Sequence, residues 1–566
     1  MRIRTLVLIA ILATLLGLLG FVLIRYTSLV RSPGEEWTPA RSVPNTDVNP
    51  YGANFFLSRE VEPWKRERTV QMAEQAGLGW TKQQFSWAEI EPTSKGEFVD
   101  PVGGGSSWTK FDQIVDLCRS YGLQVIARLD RTPAWARPAG TSPETPPTLF
   151  EDYGDFVYAF VKHFQGRIQY IQIWNEPNIY PEWGEQPVDP VAYTEMLRTA
   201  YQRAKEADPN VYVLSAPLAT TLGEPHPEPG KWRSMPELDY LEAMYEAGAG
   251  DYFDLLSANA FGFDLPPEDP PDPNVLNFRR VELQREIMER NGDEDKAIWF
   301  NEYGWNAAPA TLPEEQLIWK RVSEEEQAEY TLRGIDFGRE NWPWAGVFNV
   351  WYFRQTGQQY SPYDAAYYFR MVDVDFTPRR VYDAVQDATR SLFVASSGHF
   401  EETNPAVAPD PGWHGAIEDN ASGRAFLESE VPDASLTFTF NGHALDLIAR
   451  QGPLAGRLLV TLDGRNVAGL PTDERGRSYL DLSAPATAWQ VRFPIARGLA
   501  LGQHVVRLTV SDGEFPLGNV DAFEVNAGEP PAFPSLLVAL IAVGILLTAG
   551  TLAWDLRKRP RPERFF

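Results

Sequence analysis

The sequence contains little of what disulfide frameworks and transition-metal sites require. One of its 566 residues is cysteine and six are histidine. Cys118 has no second cysteine to pair with, and the apolar run around it (FDQIVDLCRSYG) favours a buried structural thiol over a nucleophile. The chain has no HExxH pair and no CxxC pair, which are common spacings of zinc ligands. We therefore expect neither a catalytic metal nor a cofactor.

Positive charge is also scarce. The chain has 51 Lys and Arg residues against 77 Asp and Glu residues, so its formal net charge is −26. A surface of this sign repels the phosphates of nucleic acids and anionic lipid head groups. We therefore expect no DNA or RNA partner. The length is sufficient for one large core and a second small one.

Charged residues are absent from two long stretches near the ends of the chain. Residues 5–24 and 533–554 are each about long enough to cross a bilayer as a helix. The alternative for the first is a cleaved signal peptide, but its apolar run is long for one and no A-x-A site follows it. We predict an uncleaved signal-anchor at 1–30, a linker at 31–50 and a second transmembrane helix at 533–555.

The charges that flank these stretches predict the orientation of the chain. Two crossings place both termini on one side of the membrane, and basic residues mark the cytoplasmic side. The tail at 556–566 contains five of them: Arg557, Lys558, Arg559, Arg561 and Arg564. We predict a cell-membrane protein with a basic cytoplasmic tail and an extracytoplasmic body. The sequence leaves the oligomeric state open.

Residues 51–392 alternate short apolar runs of β type with longer helical patterns. Eight candidate strands begin at residues 51, 78, 123, 168, 211, 252, 296 and 345. Repeated β-α units of this number predict a TIM (β/α)8 barrel, with a doubly wound sheet as the alternative. The chemically suggestive residues lie at the carboxyl ends of the strands, where barrel active sites are built, and this favours the closed barrel.

Two glutamates end predicted strands of this barrel. The fourth strand ends in WNEPN at 174–178, and the seventh ends in FNEYGW at 300–305. A single Asn-Glu-Pro also occurs in ordinary surface turns. The second glutamate, at the predicted end of strand seven, makes the pair a specific signal for a site that uses two carboxyl groups.

With these two motifs the chain resembles the clan A glycoside hydrolases, barrel enzymes that include cellulases, β-xylosidases and members of families 5 and 39. The resemblance implies that Glu176 is the acid/base and Glu302 the nucleophile of a retaining reaction. It also implies that Asn175 contacts the sugar 2-hydroxyl, that Trp351 at strand eight forms a floor for the sugar, and that Lys82 stands where many relatives have an arginine.

Other side chains at strand ends are candidates for binding the substrate. Sugar rings present apolar faces that pack on aromatic rings, which makes Trp135, Tyr180 and Trp305 candidates. For each of these residues, packing in the core or a loop is an equal alternative. Lys82 has a structural or solvated role as its alternative.

The predicted sixth strand departs from the family pattern. Many relatives have a His-x-Tyr there whose hydroxyl holds the nucleophile, whereas this chain has Asn259 and Phe261. Phenylalanine has no hydroxyl, so another group must hold Glu302 or it is held less well. Three outcomes follow: a divergent active hydrolase, an enzyme that prefers transfer to another sugar, and a barrel that only binds glycan.

Residues 396–527 lack a helical period and contain β-type runs broken by Gly, Asp and Asn turns. They resemble the jelly-roll accessory modules of glycoside hydrolases and predict a β-sandwich, which either binds carbohydrate or acts as a spacer. The whole sequence predicts a membrane-anchored retaining glycosidase acting on a polysaccharide or oligosaccharide. The alternative is a membrane-tethered glycan-binding protein with an inactive or transglycosylating barrel. The sugar and the linkage stay open.

Overall fold

The central feature of the fold is a closed sheet of parallel strands. The structure is a computed structural model and describes residues 3–30, 37–357, 360–500, 502–512, 517–526 and 534–558. In chain order the strands are β1 (Tyr51–Phe55), β2 (Trp80–Ser86), β3 (Gln124–Asp130), β4 (Tyr170–Ile173), β5 (Tyr212–Leu214), β6 (Leu256–Phe261), β7 (Ile298–Gly304) and β8 (Ala345–Val350). They are ordered β5-β4-β3-β2-β1-β8-β7-β6, and a parallel bridge from Leu214 to Leu255 closes the ring. The predicted eight-stranded barrel is confirmed, and the doubly wound sheet is excluded.

One helix of ten or more residues follows each barrel strand in the described part of the chain. After the N-terminal helix α1 (Ile3–Val30), these are α2 (Pro63–Gln75), α3 (Thr109–Ser120), α4 (Phe150–His163), α5 (Pro190–Ala207), α6 (Glu237–Glu246), α7 (Val281–Arg290), α8 (Glu324–Asn341) and α9 (Arg380–Thr389). Three short strands in the loops are Glu182–Glu185, Glu224–Pro225 and Trp232–Ser234. The chain therefore repeats the β-α unit eight times.

Local sequence explains why these helices begin where they do and which face they bury. Ser323 and Glu326 form a reciprocal capping box at the start of α8, and Asp189 accepts two backbone N–H groups at the start of α5. In α4 the buried residues Phe156 and Phe160 are four apart, so they lie on one face against the sheet. The amphipathic pattern thus fixes each helix around the barrel.

Aromatic side chains close the bottom of the barrel, the end at which the strands begin. Trp80 and Tyr170 pack on Trp299 with ring centroids 4.8 and 4.6 Å away. The indole N–H of Trp299 donates to the carbonyl of Asn45, in the segment before β1. A Cβ at Gly346 would lie 2.1 Å from the Trp299 indole nitrogen, so only glycine leaves room for this ring. Side chains therefore fill the bottom of the barrel, which leaves its opposite end for a site.

After the barrel the chain forms antiparallel sheets. The strands are β9 (Gly398–Glu401), β10 (Val407–Pro409), β11 (His414–Ile417), β12 (Ala425–Ser429), β13 (Ser435–Asn441), β14 (Ala444–Gln451), β15 (Arg457–Leu462), β16 (Arg465–Asn466), β17 (Tyr479–Asp481), β18 (Ala488–Arg497), β19 (Gln503–Val510), β20 (Gly518–Val520) and β21 (Ala522–Val525). Their orders are β9-β21-β14-β18, β10-β13-β19-β15-β16 with β17 on β15, and β11-β12-β20. Phe438 of β13 stacks on Phe523 of β21 at 4.2 Å, so the first two sheets face each other across one core.

The β-rich region joins the barrel through the segment that precedes β1. The carboxylate of Asp47 accepts the backbone N–H of Glu401 and the side-chain amide of Asn404, both at 2.9 Å. Thr38 forms a backbone bridge with Gly398 at the start of β9. The 31–50 segment, of which 31–36 lie outside the described residues, therefore forms part of this joint rather than only a linker.

Carboxyl groups are buried close together at this joint. Burial, and after it the charge of Glu401, raises the pKa of Glu402 well above its ordinary value. The same two causes raise the pKa of Asp521 to about 8. Burial also raises the pKa of Asp47. Burial at the joint therefore favours the protonated form of each of these carboxyls.

The terminal helices lie side by side. Helices α1 and α10 (Ser535–Arg557) are long and apolar enough to cross a membrane by length and composition. Leu15 lies against Gly544, and Arg4 forms an ion pair with Asp555 at 3.6 Å. The start of α1 is therefore next to the end of α10, so the two helices are antiparallel. Arg559, Arg561 and Arg564 of the basic tail lie outside the described residues.

We predict that the protein loses stability as pH rises, because of the joint. Unfolded carboxyls lose their protons near pH ~4, whereas Glu402 keeps its proton in the folded state. Protons bound only by the folded state stabilise it at low pH, and this contribution is lost as pH rises through the raised pKa. Thermal unfolding of Glu402→Gln should match the parent at pH 5 and exceed it by roughly 2–4 °C at pH 8.

The matched control for this experiment is Glu430→Gln, at an exposed position of the same region. It makes the same change of charge away from the joint, so its melting temperature should follow that of the parent at both pH values. A Glu402→Gln difference that is equal at pH 5 and pH 8 would show that the buried proton does not stabilise the joint.

Candidate active site

The loop that follows β4 holds Glu176 in a backbone conformation that residues other than glycine rarely adopt. Trp174 has φ of 73° and Glu176 has φ of 39°. The N–H of Trp174 donates to the carbonyl of Leu129 at 3.0 Å, and the N–H of Glu176 donates to that of Pro217 at 3.1 Å. Such conformations cost ~1–3 kcal/mol each and are concentrated at functional sites. The neighbouring chain segments therefore fix the position of Glu176.

Asn259 of β6 contacts Glu176 and the residue that precedes Glu302. Its Nδ2 donates to Oε1 of Glu176 at 2.6 Å, and its Oδ1 accepts from Nδ2 of Asn301 at 2.7 Å. In the pairing of β6 with β7, Asn259 is aligned with Glu302. Neighbouring strands are about 4.8 Å apart. The Asn259 amide therefore joins Glu176 to Asn301, the residue that precedes Glu302.

Positively charged side chains near Glu302 favour its ionised form. Glu302 is 7% exposed, and burial is the largest influence, which raises its pKa above the ordinary value. The positive charges of Lys82 and Arg128 act in the opposite direction, as does a hydrogen bond from Asn301. These groups favour the ionised form of Glu302, which Phe261 cannot do because its side chain has no hydroxyl.

At Glu176 the neighbouring charges act mainly in the other direction and raise the pKa. Burial, followed by the negative charges of Glu302 and Glu182, raises its pKa well above the ordinary value. The Asn259 amide and Arg128 oppose this rise. Two nearby carboxyls with different surroundings separate into an acid and a base. Neighbouring negative charges therefore add to the rise in pKa at Glu176, whereas positive charges oppose the rise at Glu302.

Lys82 of β2 is buried beside this pair. Its side chain is 2% exposed, and its Nζ has no hydrogen-bond partner within the described part of the chain. Burial and the charge of Arg128 lower its pKa to about 7, while Glu302 acts against this change. The structure therefore places Lys82 inside the site, not in a solvated position.

A chain of polar contacts runs from β2 across β3 to Asn175. Gln84 donates to Asp130 at 2.9 Å, and Asp130 pairs with Arg128 at 2.9 Å. Arg128 Nη1 then donates to Oδ1 of Asn175 at 3.2 Å. Asn175 Nδ2 lies 3.5 Å from a carboxylate oxygen of Glu182. Asn175 is thus held beside Glu176 by partners on both sides of its amide.

Two of the predicted aromatic residues lie in a cluster at the ends of β6 and β8. Trp351 directly follows β8, its N–H donates to the carbonyl of Tyr303 at 2.9 Å, and its ring meets Phe56 edge to face. Phe261 ends β6 and is 5% exposed. Its ring packs on Phe369 with centroids 5.3 Å apart. Trp351 therefore remains a candidate for sugar contact, while Phe261 shapes the wall.

Trp135 and Tyr180 lie in the loops that follow β3 and β4. Trp135 is half-buried, and its indole N–H donates to the carbonyl of Glu91 at 2.9 Å. Tyr180 is 40% exposed, and the Arg233 guanidinium lies 4.2 Å from its ring centroid. Both rings are on the same face of the barrel as the glutamates and keep part of their surface open to solvent.

Trp305, a candidate for binding the substrate on the basis of the sequence, is enclosed in the structure. Its indole is 1% exposed, and its N–H donates to the carbonyl of Leu265 at 2.8 Å. A Cβ at Gly262 would lie 1.8 Å from the ring. The ring is enclosed because glycine at 262 lets the chain after β6 pass directly over it. Trp305 is a packing residue and does not reach a bound sugar.

Sequence reasoning left the roles of Glu182 and Asn301 unrecognised. Asn301 had a readable signal, because it precedes Glu302 as Asn175 precedes Glu176. Glu182 had no readable signal in the sequence. It begins a short strand in a loop, and local periodicity does not predict the path of that loop. Among the described residues, no group of three or more His, Cys, Asp or Glu side chains is arranged to hold a metal ion.

Comparison with known proteins gives matches among solved structures. No protein-family model and no curated protein matches the chain. A family 39 glycoside hydrolase from Bacteroides cellulosilyticus WH2 is 18% identical, with a TM-score of 0.46 over 83% of this chain and 81% of that chain. A monomeric β-xylosidase from Caulobacter crescentus CB15 is 14% identical, with a TM-score of 0.45 over 86% and 98%. An endo-β-1,4-glucanase from Xanthomonas axonopodis pv. citri is 12% identical, with a TM-score of 0.40 over 61% and 99%. These structural neighbours are family 39 and other glycoside hydrolases, and at such identities the likeness describes the fold alone.

Proposed function

We propose that the chain is a retaining glycosidase that cleaves O-glycosidic bonds of a polysaccharide or oligosaccharide. The observation that carries the proposal is the pairing of Glu176 and Glu302 beside the amide of Asn259 at the carboxyl ends of β4, β6 and β7. Glu176 has the negative neighbours Glu302 and Glu182 beside the cation Arg128, whereas Lys82 and Arg128 are the charges that act on Glu302 most strongly. This difference is what a reaction that needs one acid and one nucleophile requires.

In the first step the ionised carboxylate of Glu302 attacks the anomeric carbon. The bond from that carbon to the glycosidic oxygen breaks, and Glu176 gives its proton to the departing oxygen. The negative charge of Glu302 is consumed in the new ester bond. The neighbouring Glu176 carboxyl, now ionised, no longer has the negative charge of Glu302 beside it.

In the second step Glu176 acts as a base. It takes a proton from water, the water oxygen attacks the anomeric carbon, and the ester bond to Glu302 breaks. Two displacements at the same carbon restore its original configuration. Glu176 recovers a proton and Glu302 recovers its charge, so the site returns to its starting state.

Substrate binding in this proposal uses polar side chains near the glutamates and aromatic rings farther out. Asn175 and Lys82 face the reacting sugar, and Trp351 lies under its apolar face. Trp135 and Tyr180 extend the site along the loops after β3 and β4. The catalytic barrel occupies 51–392 and the β-sandwich 396–527.

The proposal includes a membrane anchor made of α1 and α10. It is supported by their apolar length and by the antiparallel contact that brings Arg4 beside Asp555. Two antiparallel spans place the body between them on one side and both termini on the other. With basic residues at the termini, the body faces the extracytoplasmic side of the cell membrane.

We predict that Glu302→Ala lowers kcat/KM at least roughly 1,000-fold on β-linked polysaccharides or aryl β-glycosides that the parent cleaves. Azide is small enough to enter the space left by the carboxylate, so added azide should restore release of the leaving group. The measurement is the initial rate with and without azide.

Glu325→Ala is the matched control. Glu325 lies in the exposed first turn of α8 and pairs with Arg380 on the surface. Its replacement should leave the rate unchanged and insensitive to azide. Failure of azide to restore any turnover in a folded Glu302→Ala protein would contradict the role of nucleophile.

We predict that activity on a saccharide leaving group falls as pH rises through the raised pKa of Glu176, because the acid must carry its proton. Glu176→Gln should lose roughly 100- to 10,000-fold of kcat/KM on such substrates. Its loss should be much smaller on a dinitrophenyl glycoside, whose leaving group needs no proton. Equal losses on both substrates would contradict the role of acid.

We predict the membrane orientation from labelling with an impermeant maleimide. Burial raises the pKa of the Cys118 thiol to about 12, so the parent should not react. A cysteine at exposed Ala486 should be labelled in intact cells, and a cysteine at Phe566 only after lysis. Labelling of both before lysis, or of neither, would contradict the two-span anchor.

A further inference from the structure

Glu182 is a third carboxylate at the site, and its position is fixed by the loop that contains it. The indole N–H of Trp174 donates to the backbone carbonyl of Glu182 at 2.9 Å. Two residues later, Gly184 has φ of 73°, and a Cβ there would lie 2.7 Å from the Thr145 hydroxyl. The loop after β4 therefore lies against the turn that contains Trp174 and Glu176, and against the loop after β3.

The side chain of Glu182 completes the set of partners around Asn175. An amide has one end that accepts and one end that donates. Arg128 donates to the accepting end at 3.2 Å, and the Glu182 carboxylate lies 3.5 Å from the donating end. A cation on one side and an anion on the other allow only one orientation of this amide. The face that Asn175 presents to a substrate is thereby determined.

We propose that Glu182 is a positioning residue of the reaction, which fixes the amide of Asn175 and places a second negative charge beside the acid Glu176. The inference rests on the proposed function and extends it. The Glu182 carboxyl is one of the two negative neighbours that add to the rise in the pKa of Glu176.

The charged groups around Glu182 favour this role. Arg128 and Asp130 face it from β3, and Arg131 faces it from the start of the next loop. Burial is the largest influence on Glu182 and raises its pKa, as Asp130 also does. The two arginines and the hydrogen bond with Asn175 act in the opposite direction and favour the ionised form of Glu182.

The charged groups around Glu176 come from other elements. They are Glu302 on β7 and Arg128 on β3, together with Glu182 itself. Lys82 on β2 is near enough for its own pKa to respond to Glu176. Removal of the Glu182 charge leaves Glu302 as the remaining negative neighbour among these groups, so the proton on Glu176 should be lost at lower pH.

The experiment compares pH profiles of kcat/KM on a saccharide substrate for the full-length parent, Glu182→Gln and Glu182→Ala. Glutamine keeps an oxygen that accepts from Asn175 but removes the charge. The basic limb of the Glu182→Gln profile should move to lower pH by roughly 0.5–1 unit, with little loss of kcat/KM at the optimum. Alanine should show the same shift and a further loss of roughly tenfold, because the Asn175 amide is released.

Glu185→Gln is the matched control, since Glu185 is an exposed glutamate three residues along the same short strand. Its profile should coincide with that of the parent. A pH profile compares rates within one protein, so a smaller folded fraction lowers the whole curve without moving its limb. A Glu182→Gln profile that coincides with the parent overturns the inference and leaves the proposed function standing. A parent without turnover on any glycoside overturns both.

Discussion

The contact on which the site depends is the hydrogen bond from Asn259 to Glu176. Two carboxyls buried side by side repel each other when both are ionised, so one of them must keep a proton unless the protein compensates. Here the barrel bonds one amide to Glu176 and to the neighbour of Glu302, and it divides the other charges unequally. Lys82 and Arg128 favour the anion on Glu302, whereas Glu182 and Glu302 itself disfavour it on Glu176.

The barrel separates the groups that hold it together from those that do chemistry. At the bottom, Trp80, Tyr170 and Trp299 fill the space between the strands, and the segment before β1 closes it. At the top, the strand ends carry buried polar side chains, which require a rigid frame because each is costly when misplaced. Strain at Trp174 and Glu176 is tolerated because neighbouring segments accept their backbone hydrogen bonds.

The sequence predicts the strands well because a strand buried on both faces reads as a short apolar run, and glutamates at two strand ends are then brought together by closure of the barrel. It does not predict which aromatic residues are open. Trp305 and Trp351 both follow strands, yet Trp305 is enclosed because residue 262 is glycine. The contribution of Glu182 depends on a loop path, which local periodicity does not encode.

The two groups of buried carboxyls, at opposite ends of the barrel, impose the same direction of pH dependence. At the top, the proposed reaction requires Glu176 to be protonated, so turnover should fall as pH rises through its raised pKa. At the bottom, protonated Glu402 and Asp521 stabilise the joint with the β-sandwich, and this contribution is also lost as pH rises. In the proposed reaction Glu302 must be ionised, and Lys82 and Arg128 favour that form. The reaction therefore needs a pH at which Glu302 is ionised and Glu176 is protonated, and the joint favours the acidic side of that range.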